Sequence, residues 1–250
     1  PARPPRRVSI ISMPSAISCT PAVSHSLPGV EPMRARAWLA AGREAAGRVE
    51  DGMRVGLGTG RAAAAGIRAL GERMGRGLRC TGVATSRSSA ALAREAGIPL
   101  ERLSAPLDLA FDGADAVDPT GAVVKGAGGA LVRERIVAAA AASFLVLVDA
   151  PKLVRGLDEW GLLPVAVVPF AAARLATQLA DLSPALRPGR TDDGLRVLDL
   201  RVPPGADWRR LAASVRGLPG VVDHGLFEVG LDSVLVSRPD GTWATAAAHG

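Results

Sequence analysis

At 250 residues and 48% hydrophobic, the chain can bury one core, or a core with a small accessory domain, and no apolar run is long enough to cross a bilayer. The formal charge of +6 is carried by scattered basic residues, with only 3% aromatics and no Tyr, which argues against a nucleic-acid stacking groove. Cys19 and Cys80 make no disulfide framework, and the isolated His25, His224 and His249 support neither a zinc site nor a Ser-His-Asp triad. The expectation is a reduced, intracellular, cytoplasmic protein that needs no metal and no cofactor.

Residues 1–32 are rich in Pro, Ser and Arg and contain no acid before Glu31. They read as a disordered extension, either a transit-like segment, which would make the protein organellar, or an upstream addition before Met33. From Arg34 to Val49 the spacing is helical, with Trp38, Leu39, Ala45 and Ala46 able to share an apolar face. Next come a strand at Arg54–Leu57, a glycine turn and a helix from Ala62 to Met74. Cys80–Ala84 reads as a strand, Ser88–Ala96 as a helix and Leu107–Phe111 as a third strand ending at Asp112. Val123 and Val124 lead into a glycine loop, a helix runs from Leu131 to Ala142, and the apolar Phe144–Val148 is a buried strand. Strands alternating with helices predict a Rossmann-like parallel sheet, with ligands at the carboxyl ends of its strands. The last third changes character: strand Val165–Val168, helix Ala171–Leu182, strand Arg196–Val202, helix Trp208–Arg216, then an extended stretch to Phe227. That order predicts a small α+β, ferredoxin-like lid over 163–227, with 33–162 and 228–250 forming the α/β catalytic domain. Leu231–Ser237 would return to the main sheet.

Four segments carry candidate chemistry. Gly56-Leu57-Gly58-Thr59-Gly60 follows a strand and opens a helix, so its amides could cradle an anion. A dinucleotide fingerprint fails there, because its third glycine is Arg61 and no acid ends the next strand. Asp112 and Asp115 leave a strand end together; they can converge on one polar ligand, and their repulsion could raise one pKa, while loop capping is the plainer use of either alone. Lys125-Gly126-Ala127-Gly128-Gly129 offers backbone amides and a point charge to a developing oxyanion, and Glu134 on the following helix could face back over the loop. Lys152 follows Asp149 at another strand end, a position suited to phosphate. Of the 30 basic residues only Lys125 and Lys152 are lysine, and a compact ammonium is not interchangeable with a guanidinium in a tight site.

Together and in this order the segments resemble the A-type ribose-5-phosphate isomerase family. The resemblance rests on Val55–Ala62, Thr85-Ser86, Asp112–Ala116, Lys125–Leu131 with Arg133-Glu134-Arg135, and Asp149–Lys152. Leu163-Pro164-Val165, Thr191–Gly194, Pro219–Val222 and Gly225-Leu226-Phe227 extend it from about Met33 to the C-terminus. It implies a metal-free isomerase acting on ribose 5-phosphate and ribulose 5-phosphate through an enediolate, in a homodimer or homotetramer. Glu134 would be the carbon-acid base, Asp112 and Asp115 would handle sugar oxygens, and Lys125 would stabilise the enediolate. Thr59, Gly60, Arg61, Ala62, Gly113, Ala114, Gly126, Ala127, Gly128 and Lys152 would contact substrate or its phosphate. The chain departs from the family pattern at Arg61-Ala62, in place of Ser-Thr, and at Ala116, Ala127, Pro151 and Ala166. Ala127 fits only if its φ is negative. A non-catalytic sugar-phosphate sensor of the same fold is the second reading, favoured by Arg61, Ala62 and Pro151. A nicotinamide-dependent dehydrogenase is a third, resting on the glycine turn alone.

Overall fold

Alanine spacing builds the first helix: Ala37, Ala41 and Ala45 fall four apart on one stripe of α1 (Val30–Gly47) and are buried. The computed structural model describes residues 30–230 and 233–246. The expectations for residues 1–29, Cys19, His25, Leu231 and His249 lie outside the described residues. Leu39, expected on the apolar stripe, is instead 43% exposed.

The main sheet follows from β1 (Arg54–Leu57), α2 (Arg61–Met74), β2 (Thr81–Ala84), α3 (Arg87–Glu95) and β3 (Leu107–Gly113). After two short strands, β4 (Ala116–Val117) and β5 (Ala122–Val124), come α4 (Leu131–Ala140) and β6 (Ala141–Asp149). The chain later returns to this sheet with β12 (Val234–Ser237) and β13 (Trp243–Thr245). The strand order is β13-β12-β6-β3-β1-β2, parallel except for β13 at one edge, as the α/β reading expects. Leu145–Val148 and Val234–Val236 are almost wholly buried, which is why both read as uninterrupted apolar runs. Each such side chain contributes about 1.5–3 kcal/mol of burial.

Between α4 and β6 the boundary differs from expectation. The helix stops at Ala140, and Ala141 and Ser143 pair with Leu107 and Leu109 of β3. The ladder overrides the helix preference of the alanines. A second, antiparallel sheet has the order β10-β7-β9-β8, from β7 (Leu162–Val167), β8 (Ala185–Leu186), β9 (Arg196–Arg201) and β10 (Val221–His224). It carries α5 (Ala172–Gln178) and α6 (Trp208–Arg216), an α+β unit whose apolar cluster around Leu163, Leu175, Leu198 and Trp208 continues into Ala116, Ala122 and Val124 of β4 and β5. The stretch expected to be one extended segment to Phe227 is split at Gly225. β10 stays in this second sheet, while β11 (Leu226–Glu228) joins β5 and β4 in a third, three-stranded antiparallel sheet.

Candidate active site

Every candidate segment lies at the carboxyl ends of the parallel strands or on the loop facing them. Lys125 leaves β5 and sends its ammonium inward, 3.1 Å from Asp112 Oδ2 and 3.5 Å from Glu134 Oε2. It also donates to the Gly113 carbonyl. The three charged side chains are no more than 6% exposed. Two carboxylates and one ammonium therefore share a dry floor.

Asp112 is the fixed member of this group. Its Oδ1 accepts from the backbone amides of Thr59, at 3.0 Å, and Gly113, at 2.7 Å. Gly58 makes that approach feasible, since a Cβ there would lie 2.3 Å from Asp112 Cγ. The glycine turn thus makes room for a carboxylate as well as opening a helix. Glu134 sits in the first turn of α4, and its Oε2 is buried without a well-aligned hydrogen bond. Burial, and then the charge of Asp112, push its pKa up to about 8 against the pull of Lys125. Burial likewise raises the Asp112 pKa, with Lys125 opposing. Burial works against the Lys125 charge, yet Asp112 and Glu134 hold its pKa above the ordinary lysine range. The carboxylate repulsion that the sequence suggests for Asp112 and Asp115 is thus felt between Asp112 and Glu134. Asp115 instead lines the cleft and accepts from the Ala127 amide at 2.9 Å.

Above the floor lies a cleft of about 230 Å³, a volume suited to a small polar molecule. Thr59, Gly60, Arg61, Ala62, Gly113, Ala114, Asp115, Lys125, Gly126, Ala127, Gly128, Glu134 and Lys152 line it, and Asp112 lies beneath. Positive φ among described non-glycine residues is confined to Ser183, so Ala127 meets the condition set by its sequence position. The Thr59 hydroxyl is 2.8 Å from those of both Thr85 and Ser86, and Ser86 caps α3.

The other end of the cleft is cationic. Its rim is the N-terminus of α2, whose N-cap, Gly60, has no side chain to offer the first amides. The Arg61 guanidinium lies 4.6 Å from the Trp38 ring centroid, and Arg34 lies 5.4 Å from the same centroid. Arg34 is itself held by Asp149, at 2.6 Å and 3.3 Å. Burial lowers the Lys152 pKa; Asp115 and Asp149 oppose this, while Arg34 and Arg61 add to it. Arg34 and Trp38 line the cleft but escape sequence reading, because they come from α1 and belong to no local motif. The one available hint was a Trp, of four in the chain, in an alanine-striped helix.

The family's sequence model, described as ribose 5-phosphate isomerase A (phosphoriboisomerase A), matches residues 81–241, well over half of the chain. The chain belongs to the ribose 5-phosphate isomerase A family. A relative named ribose-5-phosphate isomerase A from Thermomicrobium roseum is 46% identical over 217 residues, covering 82% of this chain and 92% of that protein. The structure of ribose 5-phosphate isomerase A from Methanocaldococcus jannaschii matches with a TM-score of 0.77 at 36% identity, over 84% of this chain and 98% of that one. A D-ribose-5-phosphate isomerase solved in complex with phospho-erythronic acid matches with a TM-score of 0.77 at 33% identity, over 86% and 98% of the two chains. Ala116 in β4 and Ala166 in β7 are fully buried, which suits them to apolar packing. Arg61, by contrast, stands at the rim of the cleft.

Proposed function

We propose that the protein interconverts ribose 5-phosphate and ribulose 5-phosphate by proton transfer through an enediolate, with Glu134 as the base. The observation that carries this reading is the buried Glu134 carboxyl beside the Asp112–Lys125 pair, on the floor of a cleft with a cationic rim. The family membership and the names of the relatives support the same reaction. The names of the relatives give the non-catalytic reading no support.

In this scheme the ionised Glu134 takes the C2 proton of the open-chain aldose. The C–H electron pair becomes the C1–C2 double bond, and the carbonyl π pair moves onto O1. Lys125 and the amides of the Gly126–Gly128 loop stabilise that oxyanion, a contribution of about 3 kcal/mol per well-placed donor. The proton on O2 passes to O1, with Asp115 placed to handle the sugar oxygens and Asp112 holding Lys125 in position. Glu134 then returns its proton to C1 as the C2 carbonyl forms. A pKa near 8 suits a group that must both take and give a proton near neutrality. Arg61, Lys152, Thr59 and the first amides of α2 form the phosphate end in this scheme, assisted by the helix dipole. We extend the proposal to the α+β unit acting as a lid, to homo-oligomeric assembly and to a cytoplasmic location. Light scattering on the purified protein tests the assembly.

A steady-state assay on ribose 5-phosphate with Glu134→Gln tests the core of this reading. A loss of about 10³-fold in kcat is expected, within the usual range for a general base. Activity within tenfold of the parent would remove Glu134 as the base.

A further inference from the structure

The base and its ammonium partner reach the floor from different elements, α4 and the loop after β5. The loop between them, Gly126–Gly129, is tied by the Ala127 amide to Asp115 and by its Gly126 and Ala127 carbonyls to Arg187, contacts that hold the loop and reach neither Lys125 nor Glu134. A third segment contacts both. The Lys125 amide donates to the Gly225 carbonyl at 2.8 Å, and the Gly225 amide donates to the Pro164 carbonyl at 2.7 Å. A Cβ on Gly225 would lie 2.1 Å from the Lys125 carbonyl oxygen, so this contact admits only glycine as the chain stands.

The same segment holds α4 through the residue next to the base. Arg135 Nη2 donates to the His224 carbonyl at 2.7 Å and to the Leu226 carbonyl at 2.6 Å, the two peptides that flank Gly225. Its Nε lies 2.6 Å from Asp223 Oδ2. The Arg135 guanidinium stands 4.0 Å from the Phe227 ring centroid, and the Lys125 ammonium stands 5.8 Å from the same centroid. Residues 223–227 are where the chain passes from the second sheet to the third, so they are tied to both.

We infer that the 223–227 segment is a jig that sets the distance between Glu134 and Lys125, with Arg135 and Gly225 as its positioning residues. Neither touches the substrate in the proposed scheme. Arg135 acts through Glu134, and Gly225 acts through the Lys125 backbone. The guanidinium of Arg135 reaches two carbonyls and one carboxylate from one planar group, three contacts that a single ammonium point charge makes less directionally. The inference rests on the reading of Glu134 as the base, and displacement of a reacting group by about 1 Å costs on the order of 10²-fold in rate.

The test compares Arg135→Met, Arg135→Lys and Gly225→Ala with the parent in steady-state assays on ribose 5-phosphate, alongside crystal structures of the variants. Folding is checked by circular dichroism. The expected result for Arg135→Met and Gly225→Ala is a fall of about 10²-fold in kcat with KM within threefold, and a Lys125 Nζ to Glu134 Oε2 separation changed from the parent's. Arg135→Lys is expected to recover part of the loss, through the Asp223 pair alone. A folded variant with kcat within threefold of the parent, or one in which KM rises while kcat holds, overturns the inference. If Arg135→Met does not fold, Arg135→Lys and Gly225→Ala decide by the same criteria. An inactive parent would refute the proposed function instead, and the crystallographic distance would still judge the jig: an unchanged separation overturns it.

Discussion

The floor and the rim of the cleft are built on opposite principles. On the floor, Asp112, Lys125 and Glu134 are buried, with the Lys125 ammonium within 3.5 Å of both carboxyls and Asp112 fixed by two backbone amides. At the rim, Arg61 is exposed and packs on Trp38, which also carries Arg34. In the dry region Asp112 and Lys125 need each other, so removing either leaves the other's charge uncompensated, while the Glu134 charge is disfavoured there. In the wet region, charges are screened and each contributes less. The reaction belongs to the first region in our scheme, and the hold on the phosphate to the second.

This contrast can be broken most sharply at Lys125. Lys125→Met should abolish measurable isomerisation and destabilise the fold by about 3–5 kcal/mol, since it strands Asp112. Adding Asp112→Asn to that variant should restore most of the stability and none of the activity, as read from urea-denaturation midpoints. A single variant as stable as the parent would contradict the picture of a coupled floor.

The pH dependence tests the same region with a smaller effect. With the Glu134 pKa near 8, the base is mostly protonated at lower pH, so kcat/KM should fall about tenfold per pH unit below pH 8. A kcat/KM profile that stays flat as pH falls below about 8 would be inconsistent with it. For stability the sign reverses. Between the ordinary glutamate value of 4.5 and about 8, the folded chain keeps a proton that the unfolded chain has released, so stability falls as pH rises through this window.

At the rim the effects should be gentler. Arg61→Ala is expected to raise KM about tenfold with kcat within twofold, the signature of a lost charge-assisted contact to a non-reacting group. Trp38→Ala should raise KM about threefold, because it removes only the surface on which Arg61 rests. A fall in kcat in either variant would erase the division between floor and rim. Smallest of all, Glu134→Gln should raise the melting temperature above pH 8 by a few degrees, roughly 2–4 °C per kcal/mol recovered. Thermal melts across pH would show it, and a lower melting temperature at high pH would count against an ionised, buried Glu134.

What was readable in the sequence was local. Strand, turn and helix from Arg54 to Met74 follow from hydrophobic run, glycine turn and alanine spacing, and α6 matches the expected Trp208–Arg216. The acids and lysine of the floor stood out because charged residues beside glycine at strand ends have few structural uses. The missing parts are non-local. Ala141–Ser143 looks helical until β3 is beside it, and β4 is a two-residue strand that exists only through its partner β5. Gly225 reads as an ordinary turn glycine, and only the Lys125 carbonyl opposite it shows why a side chain is excluded. Arg34 and Trp38 lie more than twenty residues before the rim residue Arg61, so no spacing rule connects them.

Gly58 and Arg61 are three positions apart, and their tolerance of change should differ completely. Any side chain at Gly58 collides with Asp112, whereas the Arg61 side chain projects to solvent over Trp38. In terms of library design, a randomised pool spanning 58–62 should return nearly one residue at the first position and a broad alphabet at the fourth. The active survivors should sort by KM, so new preferences among phosphorylated sugars can be selected at the entrance while the proton-transfer chemistry stays as it is.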